Sequence, residues 1–285
     1  MKRRNFMQLT GVATLLTMLG KHRLASAEEK VAISANKTRS HEEVMNDYHH
    51  LTGGPKITIV ILVYPGMFLQ DLVGPLTVFE SLLNRDIHLV WKDTNPIKNQ
   101  QKSIIPVTPD VSFEDCPKQC DVLFVPGGVS GTFAVMEDPE VLAFLKQQAN
   151  SAKYVTSVCT GSLILGAAGL LEGYRATSHW LTIDSLAELG AEPVKERVVE
   201  DRNRITGAGV MAGVDLALAI AAKLRSQLYA ESIQLYLEYD PQPPFDAGSP
   251  DKAPKEAVAF LETMFASIKD SANSVAKKMY KKVKL

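Results

Sequence analysis

The stretch Y-V-T-S-V-C-T-G-S, residues 154–162, decides the fold class because it joins a strand to a helix through one cysteine. Tyr154 to Val158 is a short run rich in β-branched residues, typical of a strand buried on both faces of a parallel sheet. Gly161 opens a helix of small residues that we predict over 160–171. A reactive residue at such a sharp turn forms a nucleophile elbow, which lifts its side chain above the sheet edge. The pattern therefore predicts that Cys159 is a nucleophile, with a thiol pKa lowered by the helix N-terminus, rather than a small apolar filler.

Strands and helices alternate along the rest of the chain. Buried strands are predicted at 57–64 and 121–125, with short strands around Val198 and Ile205. Helices are predicted over 71–83, after the Asp138 cap with Pro139 at the first position, over 211–224 and 230–238, and from Pro254 onward. Alternation of this kind predicts a doubly wound α/β sandwich, with a mainly parallel sheet flanked by helices.

Composition excludes some classes of function. The 285 residues carry 31 basic and 32 acidic groups, for a formal net charge of −1. Nucleic-acid recognition usually needs a basic face, so no nucleic-acid partner is predicted. The one local exception is the last helix, whose tail is rich in lysine.

The N-terminus has the pattern of an export signal. Lys2, Arg3 and Arg4 are followed by a mostly apolar run over 6–19 and by the small-x-small sequence Ala-Ser-Ala at 25–27. The string R-R-N-F-M-Q-L-T-G resembles a twin-arginine signal. We expect cleavage after Ala27, a periplasmic or otherwise exported protein, and no stable membrane span after processing; an uncleaved anchor helix is the alternative.

The domain boundaries follow from these segments. Residues 1–27 are predicted to be the export signal and residues 28–55 a polar linker. Residues 56–255 are predicted to form the catalytic domain, and residues 256–285 a C-terminal helix with a basic tail.

Two further cysteines, Cys116 and Cys120, lie four positions apart in a loop. They can pair as a disulfide or be two small semi-buried residues, and the sequence favours the second interpretation. Neither has a histidine or another cysteine at ligand spacing, so no metal is predicted.

Several motifs together resemble the ThiJ/PfpI, or glutamine-amidotransferase-like, superfamily. They are P-G-G at 126–128, V-C-T-G-S at 158–162 and A-T-S-H-W at 176–180. L-Q-D-L-V-G-P at 69–75 and the proline-rich stretch at 237–254 resemble, more narrowly, the bacterial isonitrile hydratases. The resemblance covers roughly residues 56–255 and implies a flavodoxin-like fold, a homodimer, a small-molecule substrate and no cofactor.

The resemblance also implies roles for particular residues. Cys159 carries over as the nucleophile, with Asp71 and Thr160 as further catalytic residues. Proteolytic and deglycase-type relatives usually have a histidine directly after the cysteine, and Thr160 stands there in this chain, which argues against a protease.

The expected chemistry is hydration of an isonitrile. Asp71 would protonate the isonitrile carbon, and the Cys159 thiolate would attack that carbon to give a thioimidate, which water converts to an N-substituted formamide. The alternative for Asp71 is a helix N-cap, and the two roles are compatible.

The remaining site candidates would bind substrate or stabilise developing charge. They are Gly127, Gly128, Gly161 and His179, with the backbone N–H groups of Gly128 and Thr160 as the oxyanion donors. His179 is either a pocket-lining base or a structural histidine. The G-A-G at 207–209 is interpreted as a tight turn beside the pocket.

Two other functions use the same scaffold. The chain could be a non-catalytic module that binds a ligand or partner, or a redox-sensing or protective protein in which Cys159 is oxidised. Asp71 and Cys159 occurring together favours the enzyme.

Overall fold

The computed structural model describes residues 39–97 and 105–283. The predicted export signal therefore lies outside the described residues. Within the predicted linker, Ser40 caps a short helix through a capping box with Glu43. Residues up to His49 and residues from His50 onward group into two separate units.

A seven-stranded sheet forms the centre of the second unit. Six strands are parallel, and β8 is an antiparallel edge strand beside β9. The order across the sheet is β3-β2-β1-β4-β5-β9-β8, which confirms the predicted doubly wound, mainly parallel α/β fold. The strands are β1 (Ile57–Leu62), β2 (Arg85–Trp91), β3 (Val111–Ser112), β4 (Val122–Val125), β5 (Tyr154–Val158), β6 (Arg175–Ala176), β7 (Glu192–Pro193), β8 (Val198–Asp201) and β9 (Arg204–Gly207); β6 and β7 form a separate parallel pair.

Helices flank the sheet and position its loops. They are α1 (His41–Asp47), α2 (His49–Thr52), α3 (Leu69–Glu80), α4 (Ser130–Met136), α5 (Pro139–Ala149), α6 (Gly161–Ala167), α7 (Ala212–Leu224), α8 (Gln227–Tyr236), α9 (Lys255–Met264), α10 (Ala266–Val283) and a 3-10 helix, Ile183–Leu189. As predicted, Asp138 caps α5 through two backbone N–H groups, with Pro139 at its first position. In the described part of the chain, no helix combines the length and apolarity needed to cross a membrane.

Several predicted helix boundaries are wrong. Helix α3, predicted over 71–83, spans Leu69–Glu80, and α8, predicted over 230–238, spans Gln227–Tyr236. The helix expected to reach residue 171 ends at Ala167, and the chain leaves it through Gly169, which has a φ of +72°. The last helix is interrupted at Phe265 and continues as α10.

Helix α10 belongs to the packed body of the second unit. Ala272, Ala276 and Met279 recur at helical spacing and are buried in the hydrophobic core. The predicted boundary at residue 255 placed this helix outside the domain, whereas part of it packs into the core.

Candidate active site

Cys159 occupies the turn between β5 and α6 in a left-handed conformation, with a φ of +57°. Such a conformation costs a non-glycine residue about 1–3 kcal/mol and persists only where its surroundings fix it. Here the backbone N–H donates to the carbonyl oxygens of Gly207 (3.1 Å) and Ala208 (2.7 Å). The Cys159 carbonyl accepts hydrogen bonds of 3.1 Å from the hydroxyls of Ser162 and Ser178. The elbow is therefore held at both of its backbone polar groups.

Two glycines allow the loops around the elbow to approach one another. A Cβ on Gly161 would overlap the Val125 carbonyl oxygen, so only glycine lets α6 begin beneath the end of β4. A Cβ on Gly127 would lie 2.6 Å from the Thr160 nitrogen and 2.8 Å from Asp71 Oδ2. These glycines serve close packing at the site.

Asp71 is the third residue of α3, and its carboxyl group points toward the elbow and away from its own helix. Phe68 holds the N-cap position without a side-chain cap bond, so the N-cap alternative for Asp71 is wrong. The carboxyl is fully buried, and Oδ2 accepts a 2.9 Å hydrogen bond from the Gly127 N–H. Oδ1 is also buried and accepts no well-formed hydrogen bond from the described residues. Oδ1 is therefore the carboxyl oxygen that is available to gain or lose a proton.

The pKa of Asp71 is shifted toward neutrality. Burial raises it from 3.8 to about 7, because a charged carboxylate is disfavoured away from water. Hydrogen bonds from the Gly127 N–H and the Cys159 thiol lower it in part. A carboxyl group with this pKa can both accept and donate a proton near pH 7.

The Cys159 thiol has the opposite shift from the one predicted. Burial raises the pKa of the thiol well above its ordinary value, and the negative charge of Asp71 raises it further. The backbone N–H and the hydroxyl of Thr160 oppose this but do not outweigh it. The resting sulfur therefore carries its proton, beside a carboxyl group that can take it.

Thr160 connects the elbow to the loop after β4. Its hydroxyl accepts from the Gly128 N–H at 2.9 Å and lies 2.6 Å from the Gly128 carbonyl oxygen. It is also 2.9 Å from the Thr132 hydroxyl, which in turn is 3.2 Å from the hydroxyl of Tyr64. These groups form a continuous row of buried hydroxyls that ends beside Cys159.

Two of the glycines predicted to donate hydrogen bonds to the substrate use their N–H groups within the protein. The N–H of Gly127 is given to Asp71 and the N–H of Gly128 to Thr160, so neither points at a substrate. The two glycines hold the side chains of Asp71 and Thr160 instead. The backbone N–H of Thr160, which lowers the pKa of the Cys159 thiol, remains the candidate donor to developing charge.

His179 lies beside the elbow without a direct bond to it. Its Nδ1 accepts a 3.3 Å hydrogen bond from the Leu181 N–H, and burial lowers its pKa. Its ring edge faces Gly209, with Cδ2 3.3 Å from the position of a Cβ there. His179 is thus a neutral imidazole beside the G-A-G turn, whose first two carbonyls hold the Cys159 N–H.

Cys116 and Cys120 are free and buried, as the favoured interpretation predicted. Burial raises the pKa of each thiol to about 12. The Gln148 amide donates to Cys116 Sγ at 3.5 Å. In the described part of the chain, no group of three histidine, cysteine or acidic residues is arranged to hold a metal ion.

Four residues at the site were missed by sequence reasoning: Tyr64, Thr132, Ser162 and Ser178. Tyr64 had a usable signal, because it follows β1 at the carboxyl edge of the sheet, where ligands bind in folds of this kind. Ser162 lies only three residues from its partner Cys159, inside the motif at 158–162. The partners of Thr132 and Ser178 are 28 and 19 residues away in sequence, which no local pattern reveals.

The sequence around this site is similar to that of known proteins. The model of the DJ-1/PfpI family matches residues 57–223, which include Asp71, the elbow and the G-A-G turn. The chain is 50% identical over 202 residues to isonitrile hydratase from Pseudomonas putida, covering 71% of this chain and 87% of that protein. It is 30% identical over 177 residues to the HTH-type transcriptional regulator GbdR from Pseudomonas aeruginosa, but covers only 47% of that regulator.

Solved structures share the fold. A ThiJ/PfpI family protein from Pseudomonas syringae aligns with a TM-score of 0.77 and 49% identity, covering 79% of this chain and 92% of the other. A DJ-1 superfamily protein from Salmonella typhimurium aligns with a TM-score of 0.57 and 22% identity over 65% of this chain and 100% of the other, which supports the fold alone. With the sheet order, the strained cysteine and a matched region of this extent in agreement, the chain belongs to the DJ-1/PfpI family.

Proposed function

We propose that this protein is a hydro-lyase that adds water to an isonitrile and releases an N-substituted formamide. The observation that carries the proposal is the buried pairing of the Asp71 carboxyl with the Cys159 thiol, which gives one shared proton beside one nucleophile. The 50% identity to the Pseudomonas putida isonitrile hydratase supports this choice of substrate class.

In the first half of the reaction, Asp71 moves the thiol proton to the substrate. The carboxylate takes the proton from Cys159 and delivers it to the isonitrile carbon, which thereby becomes electrophilic. The sulfur lone pair forms the carbon–sulfur bond, and the product is a thioimidate in which the former isonitrile carbon carries one hydrogen. The backbone N–H and hydroxyl of Thr160 stabilise the charge on sulfur during this step.

In the second half, water adds to the thioimidate carbon while the substrate nitrogen gains a proton. Asp71, again ionised, takes a proton from the attacking water and passes it to the substrate nitrogen. As the tetrahedral intermediate expels the Cys159 sulfur, its hydroxyl group gives its proton to Asp71, which returns that proton to the sulfur, and the formamide is released. The enzyme returns to its starting protonation state, as a catalyst must.

The enzyme proposal fits this site better than redox sensing does. Oxidation of a cysteine proceeds through the exposed thiolate. Burial and the Asp71 charge both hold the pKa of the Cys159 thiol high, and the residue is only 6% exposed. The Asp71 carboxyl group, which interacts with the Cys159 thiol, suits a reaction in which the thiol proton must be transferred.

The experiment is turnover of a simple alkyl isonitrile by the purified protein, followed by the formyl proton signal of the product. We expect one formamide for each isonitrile consumed, over many turnovers, from the native protein and from Cys116→Ala. That variant lacks a buried thiol that lies away from the site. Formation of no more formamide by the native protein than by Cys159→Ala would overturn the proposal.

We also propose that the protein is exported. The support is the sequence R-R-N-F followed by an apolar run and Ala-Ser-Ala at 25–27, all of it outside the described residues. N-terminal sequencing of fractionated cells should find periplasmic protein that begins at Glu28. Membrane-bound protein that retains Met1 would contradict cleavage.

A homodimer is the third proposal, and it concerns assembly. Large apolar side chains are exposed at the end of α8, where Leu235 and Tyr236 are 81% and 79% exposed, and in the segment that follows it, where Phe245 is 79% exposed. Exposed apolar surface of this kind is often covered by a partner. Light scattering should give twice the chain mass, and the mass of a single chain would contradict the dimer.

A further inference from the structure

The row of buried hydroxyls beside the elbow has a direction that follows from counting protons. Each hydroxyl of Tyr64, Thr132 and Thr160 has one proton to donate. The neighbouring oxygens in the row are 3.2 Å and 2.9 Å apart, and either member of each pair can be the donor. The row can therefore be oriented toward Cys159 or away from it.

With the thiol protonated, each end of the row has a backbone acceptor. The hydroxyl of Thr160 donates to the Gly128 carbonyl at 2.6 Å, and that of Tyr64 has the Pro126 carbonyl at 3.0 Å. No proton of the row is then needed at the sulfur.

When Cys159 loses its proton, the hydroxyl of Thr160 is one of the donors that stabilise the sulfur. If that proton turns to the sulfur, both lone pairs of Thr160 Oγ1 are free to accept, one from the Gly128 N–H and one from Thr132. Thr132 must then donate toward Thr160, and its own oxygen can accept from Tyr64. All three hydroxyls then point toward the sulfur.

We propose that Thr132 and Tyr64 are positioning residues whose hydroxyls polarise Thr160 and align its proton with the Cys159 sulfur. Hydrogen bonds in such a chain strengthen one another, more so where water is excluded. Tyr64 and Thr132 are both fully buried.

Neutral donors are what the environment of the sulfur requires. The titratable groups whose charges act on Cys159 are Asp71 on α3 and Tyr64 after β1, and each is neutral or negative. Among the described residues, the largest influences on the pKa of the Cys159 thiol include no cationic group. Stabilisation of the thiolate therefore falls to Thr160 and to whatever strengthens it as a donor.

This inference rests on the proposed role of Cys159 as a nucleophile, but its test needs no isonitrile. The rate of alkylation of Cys159 by iodoacetamide reports how readily the thiolate forms. Mass spectrometry of the peptide containing Cys159 separates this reaction from those of the other two cysteines. Failure of isonitrile turnover in the native protein would count against the proposed function only.

Thr132→Val removes the hydroxyl and keeps the shape of the side chain. We expect alkylation of Cys159 at a fixed pH to slow by about 3- to 10-fold, the loss of part of a hydrogen bond to a charged group. Thr132→Ser should restore the rate to within about 2-fold of the native rate. The matched control is Thr156→Val, a buried threonine on β5 that donates to the Leu123 carbonyl outside the row, and it should leave the rate unchanged.

Tyr64→Phe tests the far end of the row and should slow alkylation by about 2-fold. In the Thr132→Val background it should have no further effect, because the connection to Thr160 is already broken. A native alkylation rate in folded Thr132→Val, or an equal loss in Thr156→Val, would overturn the proposal. If Thr132→Val does not fold, either of two other results would overturn the proposal. One is alkylation of Cys159 in Thr132→Ser that is more than about 10-fold slower than in the native protein, and the other is alkylation of Tyr64→Phe at the native rate.

Discussion

Cys159 differs from Cys116 and Cys120 in its partners, although all three are buried to nearly the same degree. They are 6%, 6% and 5% exposed, and burial raises the pKa of every one of the three thiols. Only Cys159 has a fixed left-handed backbone, a carboxyl group with a pKa of about 7 beside its sulfur, and a backbone N–H directed at it. Neither burial nor a shifted thiol pKa therefore distinguishes the proposed nucleophile from the other two cysteines; its hydrogen bond to a carboxyl group with a pKa of about 7 does.

Removing the sulfur itself is the largest test of this comparison. Cys159→Ala should reduce isonitrile turnover to the uncatalysed level, because neither Cys116 nor Cys120 is hydrogen-bonded to a carboxyl group whose pKa lies near 7. Cys120→Ala should leave turnover within about 2-fold of native, since it lacks contact with the site. Formamide production is the measurement, with thermal unfolding to confirm that both variants fold.

Asp71→Asn removes the proton acceptor and leaves the thiol. Asparagine can still accept the hydrogen bond from Gly127, but it cannot take the proton from Cys159. We expect kcat/KM to fall by about 100-fold or more, the usual scale of general acid–base catalysis. A fully active Asp71→Asn protein would mean that this carboxyl group is structural.

Much of the fold was predictable because it depends on local patterns. Buried β-branched runs indicated β1, β4 and β5, and the strand-cysteine-glycine sequence indicated the elbow. The roles of Gly127 and Gly128 could not be predicted from local patterns, because their N–H groups donate to residues distant in sequence. The acceptors are Asp71, 56 residues away, and Thr160, 32 residues away. The pKa of Cys159 was mispredicted because the helix terminus was visible in sequence, whereas the burial and the Asp71 charge that outweigh it arise only on folding.

The protonation of Asp71 also predicts how stability depends on pH. Its pKa is about 7 in the folded protein and about 3.8 when unfolded, so the folded state binds more protons between these values. Stability therefore falls as pH rises through this window, by about 2 kcal/mol between pH 5 and pH 7 from this group alone.

Asp71→Asn should lose that part of the dependence and should be the more stable protein at pH 7. Urea unfolding of the two proteins at pH 5 and pH 7 measures the difference, and all other titrating groups cancel. Parallel pH dependences would show that Asp71 ionises as easily when folded as when unfolded.

The smallest expected effect concerns the backbone of the elbow. Ser178→Ala removes one of two hydroxyls that donate to the Cys159 carbonyl and should destabilise the protein by about 1 kcal/mol. Activity should change little, because Ser162 still holds the same carbonyl. Denaturant unfolding and turnover assays of this variant separate the two effects, and a loss of activity larger than the loss of stability would assign Ser178 a role in the chemistry.

We propose that Cys159, and neither of the other buried cysteines, bonds to the substrate carbon. The direct measurement is a peptide mass map of the native protein, quenched in acid during reaction with an alkyl isonitrile. We predict a mass increase of one isonitrile on the peptide that contains Cys159, and none on the peptides that contain Cys116 or Cys120. An isonitrile found on either of those peptides, with the Cys159 peptide unmodified, would contradict this assignment.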